Sequence, residues 1–256
     1  MESRLLQRLM KPFFRIYLKV APLLRRGKSV YKIGDFKMGL NIAESRAVVL
    51  RRFGLYEKDV SNILADILRE GDVYVDIGSN KGYHCLEAAS LVGETGKVFC
   101  FEADPKNFAD LEYNIKLNEF SHIEAFNKAV YHTSGEVELQ RGNTTAHSTI
   151  VGEAGDFTIE SIRLDDFLNN SQIRLEDIGL IKIDVEGSEM GVLSGMKRIL
   201  GDLQDTPILV ELHPEEINKE ELYDFITEQG LHYEEVGSGF YILINPPRQE
   251  EHSKSR

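Results

Sequence analysis

Two hydrophobic periods alternate along this chain. Short β-branched runs separate stretches with apolar residues every third or fourth position. Val73, Val75 and Ile77 belong to a covered strand that ends in a glycine turn, Gly78-Ser-Asn-Lys-Gly82. Before it, Val60, Ile63, Leu64 and Ile67 make one stripe of a helix over Lys58–Arg69. After it, the pattern predicts a helix over Tyr83–Leu91, a strand over Lys97–Glu102, a helix over Pro105–Asn118 and a strand over Ile123–Phe126. Leu180–Asp184 and Pro207–Leu212 read as further parallel strands, with a helix from Gly187 through Leu200 between them. Glu215–Gln229 reads as a helix. Tyr233–Val236 and Phe240–Ile244 flank Gly237-Ser-Gly239 as a hairpin that adds one antiparallel strand. Val137–Leu139 and Phe157–Ile162 pair as an antiparallel insertion, and Arg141–Gly155 between them reads as a mobile polar loop.

Strands alternating with helices predict an α/β fold: a doubly wound, mostly parallel seven-stranded sheet with a C-terminal antiparallel hairpin. Residues 28–56 read as irregular structure or short strands, at Val30–Ile33 and Ala47–Leu50. The expected organisation is a basic N-terminal helical arm and lead-in over 1–55, one domain over 56–245 and a polar tail over 246–256.

Charge sharpens the role of the arm. Eight Lys and Arg residues and one acid fall in residues 1–30, so this segment carries +7 and the remainder −19 against a net −12. An acidic body excludes a broad nucleic-acid footprint. The arm interleaves its cations with Leu5, Leu9, Phe13, Val20 and Leu24, broken by Pro12 and Pro22. It suits either packing on the domain or peripheral contact with anionic lipid through residues 1–28. No apolar run is long enough to span a membrane. The two cysteines, Cys85 and Cys100, fall in core elements and suit a reducing, cytoplasmic compartment.

The candidate chemistry sits at strand ends. Position 80 is Asn, so the glycine turn lacks the G-x-G-x-x-G spacing that cradles a pyrophosphate. The turn still offers close backbone approach at Gly78 and Gly82 and a carboxylate, Asp76, for a cation. Glu102 ends the next strand, where an acid accepts both hydroxyls of a ribose. A nucleoside with a cationic amino-acid tail and no phosphate is S-adenosylmethionine. A second acidic strand end, Asp184, lies beside the first, and Lys182 inside that strand needs a carboxylate partner, for which Glu211 is the expected choice. Asp184 and His213 are candidate general bases for an acceptor hydroxyl. Asp184, Glu186, Glu211 and His213 form an alternative divalent-cation set. His84 reads as a surface or packing residue.

Three ordered motifs carry a resemblance. Asp76-Ile-Gly-Ser-Asn-Lys-Gly82, Phe101-Glu-Ala-Asp-Pro105 and Lys182-Ile-Asp-Val-Glu-Gly-Ser-Glu189 resemble the FkbM family of S-adenosylmethionine-dependent methyltransferases. Asn114-x-x-x-Asn118, Arg163-Leu-Asp-Asp166 and Leu209-Val-Glu211 fit the same pattern. The resemblance implies a class I, Rossmann-like fold and methyl transfer to oxygen. It implies that Asp76, Gly78, Ser79, Asn80 and Gly82 line the cofactor's methionine and ribose, with Asp184 nearby. Glu102 would hold the ribose hydroxyls, and Ala103, Asp104 and the Asn127–Ala129 loop would border the adenine. The implied acceptor is a hydroxyl on a small molecule, glycan or lipid-linked sugar. The alternatives are a cofactor-binding domain without catalysis and an NAD-dependent oxidoreductase.

Overall fold

The computed structural model describes residues 28–40, 57–142, 148–203, 205–212, 219–237 and 239–245. The chain divides into two compact units, residues 1–58 and 59–256. In the first, β1 (Ser29–Ile33) and β2 (Phe36–Leu40) form an antiparallel hairpin, with Ile33 opposite Phe36. The β1 strand matches the expected one. The expected helical arm, the strand at Ala47–Leu50 and the tail from Pro246 lie outside the described residues.

The second unit is built on a seven-stranded sheet. Its strands are β3 (Val73–Ile77), β4 (Lys97–Phe101), β5 (Ile123–Phe126), β10 (Ile178–Ile183), β11 (Ile208–Glu211), β12 (His232–Gly237) and β13 (Phe240–Ile244). They lie in the order β12-β13-β11-β10-β3-β4-β5. The pairs from β11 to β5 are parallel, and β13 is antiparallel to both its neighbours. So β12 runs with the parallel set, and one reversed strand is wedged inside it. This is the doubly wound, mostly parallel arrangement that the alternating pattern predicts. Every residue of β3 is buried, as a central parallel strand requires.

Helices α1 (Lys58–Ile67), α2 (Tyr83–Val92), α3 (Pro105–Asn118), α4 (Leu164–Asn170), α5 (Glu189–Ser194), α6 (Lys197–Leu200) and α7 (Lys219–Gln229) connect and cover the strands. On one face of the sheet, Val73, Val75, Ile77, Phe99, Phe101, Ile181, Ile183 and Val210 join Leu164 and Leu168 of α4 and Val192 and Leu193 of α5 in the main core. The opposite face of the central strands carries two buried charged groups, Lys182 and Asp76, near its C-terminal end. Lys182, Asp76 and Cys100 stand in register across β10, β3 and β4.

Two expectations change. The Arg141–Gly155 stretch contains a strand, β8 (Ser148–Val151), rather than loop alone. With β6 (Ala129–Val130), β7 (Gly135–Arg141) and β9 (Phe157–Ile162) it forms a second sheet in the order β6-β9-β7-β8. The β7–β9 pair is the predicted antiparallel insertion, with Val137 opposite Ile159. The helix expected to run to Leu200 is broken at Gly195-Met196 into α5 and α6. A Cβ on Gly195 would lie 2.2 Å from the Tyr131 carbonyl oxygen, so the loop before β7 presses on the break. Helix α4 adds a buried acid that the pattern did not mark. Asp165 accepts from Arg163, from Arg198 and from the Ile199 amide, tying α4 to α6.

Candidate active site

The site starts where β3 stops. Gly78 and Ser79 donate their amides to the Phe101 carbonyl, and Asp184 donates its amide to the Ile77 carbonyl. The turn is therefore held from both neighbouring strands. Gly78 has φ +86, and a Cβ there would fall 1.7 Å from the Asp184 carbonyl oxygen. The residue is glycine because the end of β10 presses on it, a reason the sequence did not show. Gly82 has φ +88 and opens α2. Asn80 also has positive φ, which its short amide side chain tolerates. Buried Asn114 donates to the Lys81 carbonyl across 2.8 Å, fixing the turn to α3.

Asp76 is 1% exposed. Its Oδ2 accepts from the Cys85 thiol at 3.1 Å, and its Oδ1 has no hydrogen-bond partner. A buried carboxylate oxygen that accepts no hydrogen bond, at a strand end, can take one from an incoming ammonium. Cys85 and Cys100 are free and buried, and burial raises both thiols above their ordinary range. They pack as small apolar groups rather than as nucleophiles.

Glu102 follows β4. Its Oε2 accepts the Asn80 amide and its Oε1 the Asp104 amide, each at 2.8 Å. The two bonds aim the carboxylate along the turn; with the Asn107 side chain also bonding it, part of its lone-pair capacity is left. Burial raises its pKa from 4.5 to about 7, against the lowering effect of the two amides. The folded chain thus holds a proton that the unfolded chain loses between pH 4.5 and 7. Its burial costs stability as pH rises through that window. Asn127 donates to the carbonyls of Glu102 and Ala103, fixing this segment from the loop after β5, and Ala129 is buried in β6.

Asp104 is more occupied than expected. It caps α3 by accepting the Lys106 amide and receives Arg141 Nε from β7 at 2.6 Å and Ser148 Oγ from β8 at 3.3 Å. Burial opposes its charge, but the Arg141 and Lys106 contacts outweigh it and lower its pKa. Ile150 of β8 donates its amide to Ser188 Oγ, beyond the end of β10. The β7–β8 hairpin therefore touches the segments after β4 and after β10, the two neighbours of β3. Sequence reasoning missed Arg141, Ser148 and Ser188 in this role.

Lys182 is 2% exposed. Its ammonium donates to Asp184 Oδ2 at 2.8 Å and lies 3.9 Å from Asp76 Oδ1. Besides Glu211, the expected partner, two further carboxylates lie beside the ammonium: Asp184, on the same strand face, and Asp76. The Asp184 side chain keeps 20% exposure. His213 lies outside the described residues. Of the alternative cation ligands, Asp184, Glu186 and Glu211 are described, and no group of three His, Cys, Asp or Glu suited to a metal occurs among the described residues. His84 packs inside, its ring edge-on to Tyr83 and its Nδ1 3.2 Å from Glu87. No helix among the described residues is long and apolar enough to cross a membrane.

A family model, the methyltransferase FkbM domain, matches residues 76–233. The hexuronic acid methyltransferase AglP of Haloferax volcanii is 29% identical over 168 residues, covering 64% of this chain and 66% of that protein. The 2-O-methyltransferase NoeI of Sinorhizobium fredii is 27% identical over 157 residues, covering 54% and 63%. The chain thus spans just under two thirds of these curated relatives. A solved FkbM methyltransferase from Methylobacillus flagellatus superposes with a TM-score of 0.48 at 15% identity, over 72% of this chain and 50% of that one.

Proposed function

The chain belongs to the FkbM methyltransferase family, and on that premise we propose that it transfers a methyl group from S-adenosylmethionine to a hydroxyl oxygen of a sugar. The observation that carries this reading is the pair of buried carboxylates at adjacent strand ends. Glu102 is held by two amides with lone-pair capacity to spare, and Asp76 has an oxygen that accepts no hydrogen bond. A vicinal diol and an ammonium are the groups those two acids suit. The names of the two relatives, one for hexuronic acid and one for 2-O-methylation, support a sugar acceptor, free or lipid-linked. We assign the activity to residues 56–245.

The cofactor supplies a methyl group on a sulfonium, whose thioether is the leaving group. The chain's part is to bind, orient and deprotonate. Asp76 and the Gly78–Gly82 turn hold the amino-acid end. Glu102 holds the ribose, and Ala103, Asp104 and Ala129 border the base. Asp184, oriented by Lys182 and partly open to solvent, takes the acceptor's hydroxyl proton as the new C–O bond forms. His213 is the second candidate for that proton. The buried free thiols support a reducing, cytoplasmic setting, with the basic segment 1–28 as a peripheral contact when the acceptor is lipid-linked.

Incubation with methyl-labelled cofactor and glycosides of glucose and glucuronic acid tests the acceptor. The expected product is a labelled ether that survives alkali. Label released by mild alkali identifies a carboxylate as the acceptor and removes the need for a base. No label in any sugar overturns the substrate class.

A further inference from the structure

The Asp104–Arg141 pair joins the second sheet to the carboxylate that the proposed reading gives to the ribose. Three contacts run in series. Arg141 Nε on β7 donates to Asp104 Oδ2 at 2.6 Å, with Nη2 3.3 Å from Oδ1. Asp104 donates its backbone amide to Glu102 Oε1 at 2.8 Å. Glu102 Oε2 is fixed by the Asn80 amide on the turn. The Asp104 side chain is 5% exposed, so its charge acts on Glu102 across little water.

We propose that Arg141 is a positioning residue for the cofactor site, fixing and neutralising Asp104, whose backbone amide aims the Glu102 carboxylate at the ribose. The inference rests on the S-adenosylmethionine reading and adds a residue from outside the parallel sheet to it.

Among the described residues around Glu102, Arg141 is the cation seen bonded to Asp104. The turn after β3 presents the Asn80 amide, and its Lys81 is paired with Asp110 of α3 at 3.1 Å. The N-terminus of α3 presents Asn107 to Glu102 and the Lys106 amide to Asp104. The loop after β5 presents Asn127, through its amide to the Glu102 carbonyl, and Lys128, which pairs with Glu160. On β8, Ser148 contributes a neutral hydroxyl. Burial is the main cause that raises Glu102; the like charge of Asp104 adds to it, and Arg141 offsets that charge directly. Arg141 is itself held in place. Its backbone amide donates to Asp156 Oδ2 at 2.8 Å, and its guanidinium lies 4.4 Å from the centre of the Phe157 ring.

Two measurements on the full chain test this. The first follows the side-chain carboxyl carbon of Glu102 by NMR across pH in ligand-free protein. The second is the pH dependence of S-adenosylhomocysteine affinity by calorimetry. In the unsubstituted chain, affinity should fall about tenfold per pH unit below the Glu102 midpoint. Arg141→Gln should raise that midpoint by about one pH unit, and Arg141→Lys should restore it. In an Asp104→Asn background, which keeps an N-cap side chain, Arg141→Gln should no longer move it. An unchanged midpoint in folded Arg141→Gln overturns the inference. So does an equal shift in the Asp104→Asn background, because the effect would then bypass Asp104. Absence of S-adenosylhomocysteine binding at every pH counts against the cofactor reading instead, and the NMR midpoint still decides the role of Arg141.

Discussion

Gly78→Ala is expected to lower unfolding free energy by about 4 kcal/mol and to remove cofactor binding with it. Two costs combine. The residue sits at φ +86, which costs an L side chain on the order of 1–2 kcal/mol. The added Cβ would also lie 1.7 Å from the Asp184 carbonyl oxygen and 2.7 Å from its carbon. That neighbour is backbone, and the Asp184 amide is bonded to the Ile77 carbonyl, so it cannot swing away. Relief therefore requires β3 and β10 to separate at their ends, where Asp76 and Asp184 lie. Gly230→Ala is the control, because Gly230 has φ +67 and open space around it. It should cost about 1 kcal/mol. Urea unfolding of both variants separates strain from collision. A Gly78→Ala cost no larger than that of Gly230→Ala contradicts the packing argument.

Lys182→Met is the second large effect, expected at about 3–5 kcal/mol. Methionine fills nearly the same volume, so the loss is electrostatic. It removes the ammonium that lies 2.8 Å from Asp184 and 3.9 Å from Asp76, and leaves two carboxylates at neighbouring strand ends. Asp76 already has one oxygen without a hydrogen bond, so a further loss of compensation falls on a group with 1% exposure. Adding Asp76→Asn should recover part of the stability, because removing both partners costs less than stranding one. Urea midpoints of the single and double variants check this. A Lys182→Met chain as stable as the parent, or a double variant weaker than the single one by the full cost of Asp76→Asn, shows the three groups to be independent.

The sheet was legible because its central strands are buried on both faces and punctuated by glycine. The bounds of α3 and β5 match the expectation, β3 holds the three residues assigned to it, and β4 and α2 differ by one residue at an end. Asp76, Glu102 and Asp184 could be placed for the same reason. Once a parallel strand is located, its C-terminal end is located too. The antiparallel insertion was half legible. Val137–Leu139 and Phe157–Ile162 alternate clearly, whereas β6 has two residues and β8 is four residues inside a polar, glycine-bearing stretch. Ser148-Thr-Ile-Val151 offered weak strand chemistry as its one local signal.

Pairings across long separations left no local trace. Arg141 and Asp104 are 37 residues apart, and their meeting depends on how the second sheet lies over the first. The two carboxylates seen beside Lys182 were missed for a related reason. Strand alternation showed that Asp184 shares its face, but the register with Asp76 exists once β10 and β3 are paired. Gly78 was read as making room for a ligand, and it also makes room for the Asp184 carbonyl. The Arg163-Leu-Asp-Asp166 pattern proved structural in its acid, since Asp165 is fully buried and ties α4 to α6.

The most direct test of the central claim is titration calorimetry with S-adenosylhomocysteine and, separately, NAD, on the parent chain and on Glu102→Ala. The account predicts that the parent binds S-adenosylhomocysteine at one site and does not bind NAD. It also predicts that Glu102→Ala weakens S-adenosylhomocysteine by about a hundredfold or more, because a buried diol loses its acceptor. Binding of NAD in place of S-adenosylhomocysteine, or equal affinity in the parent and Glu102→Ala, contradicts it.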